Sequence, residues 1–235
     1  APIPGFIRPI MPPILNYLRK WDYKAAQRPD NIIANSQNVA RRIKKFYNRD
    51  ADEVIFPCVD TSRFEVSTSD KKYWLVVGRQ EPYKRTDLAI LAANKLNVNL
   101  LVAGGGTNIK KYTEIAGKNV KFTGRVEDKE LAKLYENCIG LIFPQEEDAG
   151  ITPLEAMAAG RPVIAYKKGG ALETVIPGVT GEFFDNQDID SLAGAMEKFN
   201  ESKYDSEIIR NHASKYDKKL FKLKIFNYVL SKINN

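Results

Sequence analysis

Arg79 and Lys84 stand on either side of Pro82 in the stretch GRQEPYKRTDL, and a helical pattern follows them. A guanidinium, an ammonium and the free backbone N–H groups of a helix start then converge on one place, which suits a diphosphate. Taken alone, the pair is explained equally well as two surface cations that solvate a loop.

A second stretch, EEDAGITPLEAMAAG at residues 146–160, clusters carboxylates ahead of an alanine-rich apolar run. Thr152, Pro153 and Glu155 read as a capping box: Thr152 is the predicted N-cap, proline takes the first helical position, and Glu155 reaches back. That accounts for Glu155 without any function. It leaves Glu147, Asp148 and Gly150 unexplained. A loop carboxylate such as Glu147 can accept paired hydrogen bonds from the vicinal hydroxyls of a sugar or ribose.

Two glycine-bearing stretches accompany these. In VAGGGTNIK the run Gly104 to Gly106, with Gly105 at its centre, reads as room for a ligand to approach the backbone, although it lacks the spacing of a dinucleotide fingerprint. In YKKGGALETV, Gly169 and Gly170 precede a short helical turn and carry the same reading. His212 is the single histidine, and with no partner near it in sequence it is expected to face solvent. Cys58 and Cys138 make neither a disulfide framework nor a metal cluster, and both are expected to be buried.

The elements that must carry these loops are legible from Tyr73 onward. YWLVVG, VNLLVAG, NVKFTG, IGLIFP, RPVIAY and TGEFF are short runs, mostly apolar throughout, as strands covered on both faces should be. Between them apolar residues recur at helical spacing: Leu88, Leu91, Ala92 and Leu96; Leu131, Leu134, Tyr135 and Cys138; Ile189, Leu192, Ala193, Met196 and Phe199. The alternation predicts an α/β fold, a Rossmann-like doubly wound parallel sheet. Ligands of such sheets bind beyond the carboxyl ends of the strands, where the charged and glycine-bearing loops fall.

The first 60 residues are of another kind. APIPGFIRPIMPPI holds five prolines and is predicted to be irregular, Ile14, Leu18, Trp21 and Ala25 mark a helix after it, and DNIIANS is a short strand ending at the N-cap Ser36. One strand and two helices are too little for a core. These residues are expected to be the tail of a preceding domain plus a linker (1–60), followed by the main domain (61–204) and a C-terminal helical segment (205–235).

Among 235 residues, 43% are apolar and no run of about 18 apolar residues occurs, so a globular protein of the cytoplasm is expected. The net charge of +7 favours anionic partners. Its densest block, RRIKK at Arg41–Lys45, interleaves with Val39, Ile43, Phe46 and Tyr47 at helical spacing, which assigns the cations to the wet face of a helix and argues against nucleic acid; a peripheral contact with anionic lipid headgroups stays open.

Three segments in order, VVGRQEPYKRTDLAI, VKFTGRVEDKELAKLY and EEDAGITPLEAMAAGRPVIAYKKGGALETVIPGVTGEFF, resemble the nucleotide-sugar-binding C-terminal domain of family-4 retaining glycosyltransferases of the GT-B fold. Glu147 and Glu155 match that family's E-x7-E signature, and the likeness covers about residues 54 to 212. The third segment looks most similar to bacterial mannosyltransferases of O-antigen and surface-polysaccharide synthesis. The resemblance implies a nucleotide-diphosphate sugar such as GDP-mannose as donor, a glycan or lipid-linked acceptor, retention of configuration, and no metal or other cofactor. It implies that Arg79 and Lys84 hold the diphosphate, that Glu147 bonds hydroxyls of the hexose, and that Glu155 holds the ribose. The N–H groups of Gly150, Ile151 and Thr152 would face sugar and phosphates, Gly105 would lie beside the ligand, and the turn at Arg125 and Val126 would pass the nucleobase. Glu147, Arg79 and Lys84 would then act on the transfer itself.

Members of that family have a second, acceptor-binding domain, of which RPDNIIANSQNVARRIKKFY resembles only the end. The expectation is a donor domain that transfers poorly alone. The alternatives are a donor-binding subunit that works with a separate acceptor-binding chain and, on the same fold, a nucleotide-sugar epimerase or phosphorylase.

Overall fold

The structure, a computed structural model, describes residues 11–67 and 72–233. It divides into two compact units, residues 1–55 and 56–235.

In the first unit, α1 (Met11–Ala26) has Pro12 and Pro13 in its first described turn. Proline is tolerated there because the first N–H groups of a helix have no intrahelical partner, so residues 11–14 of the stretch predicted to be irregular are helical, and the rest of it lies outside the described residues. The strands β1 (Ile33–Ala34) and β2 (Glu53–Val54) pair in parallel. Between them runs α2 (Gln37–Tyr47), capped as the sequence predicts: the Ser36 hydroxyl accepts the Val39 N–H at 3.1 Å. Tyr47 Oη donates to Asp22 at 2.9 Å, and Arg49 donates to the carbonyls of Ala26 and Pro29, tying α1 to α2. Yet α1 buries no residue, and its Trp21 is 57% exposed.

The second unit is the doubly wound sheet. Six strands, β3 (Tyr73–Val77), β4 (Leu100–Ala103), β5 (Val120–Gly124), β6 (Cys138–Phe143), β7 (Val163–Tyr166) and β8 (Gly181–Phe184), lie parallel in the order β5-β4-β3-β6-β7-β8. The intervening helices are α3 (Thr86–Leu96), α4 (Ile109–Ile115), α5 (Asp128–Glu136), α6 (Ile151–Ala158), α7 (Ala171–Thr174) and α8 (Ile189–Lys198), followed by α9 (Ser206–Ser214) and α10 (Lys218–Ile233).

Because successive side chains of a strand point to opposite faces, the apolar runs feed two cores. Leu75, Leu141, Phe143, Val163 and Ala165 pack with α5, α6 and α9, while Trp74, Val76, Val102, Ile142 and Ile164 pack with α3, α4 and α8. Cys138 opens β6 and does not extend the helix before it, since α5 stops at Glu136; the thiol is fully buried, whereas Cys58 is only half-buried.

Residues 205–217 pack within this unit, whereas α10 buries no residue. Arg210 donates to the carbonyls of Phe64 and Ala158 at 2.8 Å, and the Asp217 carboxylate accepts the Thr61 hydroxyl at 2.5 Å. Among the described residues no helix is long and apolar enough to cross a membrane.

Candidate functional site

The strand order reverses direction between β3 and β6: the chain builds outward from β3 through β4 to β5, then returns to β6 and builds the other way. A crevice opens beyond the carboxyl ends of two strands that diverge like this. The loops flanking it are residues 78–85, after β3, and 144–150, after β6. These hold Arg79 and Lys84 on one side and Glu147 on the other.

The structure joins them. Lys84 Nζ and Glu147 Oε1 form an ion pair across the crevice, with the two side chains 16% and 22% exposed. Lys84 sits at the end of a 3-10 turn begun by Pro82, and its side chain lies over Gly78. A second link runs beside the first: Arg85 donates to Gln187 Oε1 at 3.0 Å, and Gln187 Nε2 donates to the Pro144 carbonyl at 2.8 Å. Arg79, on the same loop as Lys84, is exposed and has no ion pair among the described residues. Arg125 is likewise exposed and Val126 half-buried, on the turn after β5.

Helix α6 begins differently from the capping box expected of it. Its N-cap is Gly150, at φ +76°, so Thr152 and Pro153 are the second and third helical residues. A positive φ is open to glycine without strain, and Pro153 falls where a missing N–H again breaks no helical bond. The N–H groups of Ile151 and Thr152 are therefore free of helical partners at the mouth of the crevice. Glu155 is released from the capping role. Its Oε2 instead accepts the hydroxyl of the fully buried Tyr135 at 2.8 Å. Burial pushes the Glu155 carboxyl above the usual carboxylate range, against the Tyr135 hydrogen bond and the charge of Arg63, which hold it down.

The glycine-bearing loops pack closely against other loops. A Cβ on Gly104, which sits at φ +115°, would overlap the Gly78 carbonyl, and one on Gly106 would collide with the backbone of Gln80. The tight approach is between the loops after β4 and β3, with Gly105 alone facing open space. Likewise, Gly169 lies against the Glu147 backbone and Gly170 against Asp148 and Ala149, and the Gly170 N–H donates to the Glu147 carbonyl at 2.8 Å. These glycines let the loop after β7 buttress the acidic loop.

One residue that sequence reasoning passed over holds the other side. Gln80 is buried; its amide donates to the Gly78 and Ala103 carbonyls at 2.8 and 3.2 Å and accepts the Thr86 hydroxyl at 2.8 Å. Its backbone bonds Gly105 and Asn108, so it ties the β3 and β4 loops together. His212 does not face solvent: its Nε2 lies 2.9 Å from the Thr174 carbonyl, and burial lowers its pKa. Among the described residues no three His, Cys, Asp or Glu side chains cluster as a metal-ligand set.

Residues 59–220 match the model of the family described as glycosyl transferases group 1. The chain is 31% identical to the human alpha-1,3/1,6-mannosyltransferase ALG2, over 72% of this chain and 50% of that protein. It is 28% identical to the Dictyostelium discoideum protein of the same name, over 72% and 52%. It spans about half the length of the curated relatives it matches. Among solved structures, sucrose-phosphate synthase from Thermosynechococcus elongatus superimposes with a TM-score of 0.84 at 21% identity, covering 92% of this chain and 61% of that one. Anabaena Alr3699/HepE in complex with UDP-glucose does so at 0.79 and 22%, covering 91% and 67%. At these identities the structural likeness speaks to the fold, which is that of the GT-B glycosyltransferases.

Proposed function

The chain belongs to the glycosyl transferases group 1 family, and from that premise we propose that its crevice binds a nucleotide-diphosphate sugar, GDP-mannose being the first candidate, for retaining transfer to a glycan or lipid-linked acceptor. The mannosyltransferase names of the relatives support the sugar, and the UDP-glucose held by the Anabaena protein supports the ligand class. The observation that carries the reading is the Lys84–Glu147 ion pair. A nucleotide sugar offers both an anion and hydroxyl donors. Its diphosphate can replace the carboxylate at Lys84 while its hexose hydroxyls replace the ammonium at Glu147, so each partner of the pair is satisfied again in the complex.

In this reading Arg79 and Lys84 neutralise the diphosphate, and the free N–H groups of Ile151 and Thr152, with Gly150, face sugar and phosphates. Charge builds on the leaving diphosphate during transfer, and fixed cations with a helix start stabilise it without a metal ion. Glu155 takes the ribose, Gly105 allows close approach, and the turn at Arg125 and Val126 passes the base. Transfer also needs an acceptor oriented against the donor, so these residues alone bind donor and transfer poorly. Titration with GDP-mannose, GDP, UDP-glucose and UDP tests this: GDP-mannose is expected to bind more tightly than GDP, and no binding of any of the four at millimolar concentration would overturn it.

A second reading, a donor-binding subunit that works with a separate acceptor-binding chain, is favoured by the uncovered Ile14, Leu18 and Trp21 of α1. Purification from the native source tests it, a stoichiometric second chain being the expected result. For the same unit we propose a peripheral contact between the Arg41–Lys45 face and anionic lipid, which predicts co-sedimentation with phosphatidylserine vesicles and none with phosphatidylcholine.

A further inference from the structure

The two acids of the site are held in opposite ways. Glu147 is bound by a cation, whereas Glu155, twenty residues along the chain from Tyr135, is bound by a neutral hydroxyl. Tyr135 is fully buried on α5 with its ring edge-on to Phe64, centroids 5.8 Å apart at 77°, so its hydroxyl has a fixed direction. Glu155 has no ion-pair partner within 4.0 Å and no second side-chain hydrogen bond among the described residues. A carboxylate so enclosed and so little satisfied has unused acceptor capacity at Oε1.

We propose that Tyr135 is a positioning residue: its hydroxyl occupies Glu155 Oε2 and thereby presents Oε1 as the acceptor for the vicinal diol of the nucleotide ribose. The inference rests on the nucleotide reading above and adds to it the residue that orients the ribose acceptor. A neutral donor suits this task better than a cation. It fixes the carboxylate without cancelling its charge, so the anion keeps its strength as an acceptor for two hydroxyls. The charged groups around it pull in opposite directions: Arg63, from the turn after Asp60, favours the ionised form, and Asp128, at the start of α5 and itself paired to Arg63 at 3.1 Å, disfavours it.

The test compares wild type with Tyr135→Phe, which keeps the ring and removes the hydroxyl, using GDP and 2′,3′-dideoxy-GDP, and the UDP pair if uridine is the preferred base. Wild type is expected to prefer the ribonucleotide, and Tyr135→Phe to lose about tenfold in ribonucleotide affinity with the dideoxynucleotide unchanged. In the variant the remaining ribonucleotide advantage should also vanish at a higher pH, because a carboxyl stripped of its donor protonates more readily. Should Tyr135→Phe not fold, 3-fluorotyrosine at position 135 keeps the ring, makes the hydroxyl a stronger donor, and must shift the affinity for the ribonucleotide alone. Equal losses for both nucleotides, or none for either, would overturn the role of Tyr135 while leaving the nucleotide reading intact. A wild type that binds none of these nucleotides would overturn both.

Discussion

The loops at the carboxyl end of the sheet fall into two kinds. Those after β3 and β6 flank the reversal in strand order and carry charges that meet across it, Lys84 on Glu147. Those after β4 and β7 carry glycines whose missing side chains are filled by the backbones of the first two loops. Both kinds look functional in one dimension. In three, the first presents chemistry and the second lets that chemistry be packed tightly enough to stay in place.

Substitutions can break this division. The largest effect is expected from Gly104→Ala, which combines a strained positive φ with overlap on the Gly78 carbonyl and should cost about 3 kcal/mol or more of stability by thermal or urea unfolding. Gly105→Ala meets no atom within 4 Å, so it should leave the unfolding midpoint unchanged; a midpoint lowered as far as that of Gly104→Ala would erase the distinction. Next, Lys84→Ala should weaken GDP binding by about 10- to 100-fold through loss of a charge-assisted contact, with little change in the melting temperature. Glu147→Gln sharpens the comparison: it should remove most of the expected advantage of GDP-mannose over GDP, while GDP itself binds no worse, since its competitor for Lys84 is gone. Equal losses for both ligands would contradict the assignment.

The smallest effect concerns His212, far from the charged loops in role. Its folded-state pKa is depressed by burial, so the folded state favours the neutral ring; the stability this contributes is present above the unfolded pKa of about 6.5 and is lost as pH falls below it. His212→Asn should flatten the fall in melting temperature between pH 7.5 and 5.5 without altering nucleotide affinity.

All six main strands were legible in the sequence, the four inner ones because both faces of this sheet are covered, which turns each into a continuous apolar run; the edge strands β5 and β8 interrupt theirs with Lys121 and Glu182. The short α4 was not, since only Tyr112 of its seven residues is buried and it shows no stripe. Lys84 and Glu147 were legible as residues, but their meeting, 63 positions apart, is a product of strand order. Thr152 was misplaced by two positions because a Thr-Pro pair fits the general rule for helix starts, while the true signal was Gly150 and its positive φ. Tyr135 was read correctly as part of an apolar stripe, and that reading hid its hydroxyl. The loop-to-loop contacts of Gly104, Gly106, Gly169 and Gly170 were hidden for a related reason: a backbone that must be approached closely looks the same in sequence whether a ligand or another loop approaches it.

The buried amide of Gln80 has a kinetic corollary. Because it knots the loop of Arg79 and Lys84 to the loop after β4 through its own side chain and backbone, opening that loop requires breaking bonds that are out of reach of water. The Gln80 and Asn108 amide hydrogens therefore belong with the slowly exchanging protons of the sheet interior, even with the crevice empty, and a ligand arriving there meets a surface whose ordering entropy was spent when the chain folded.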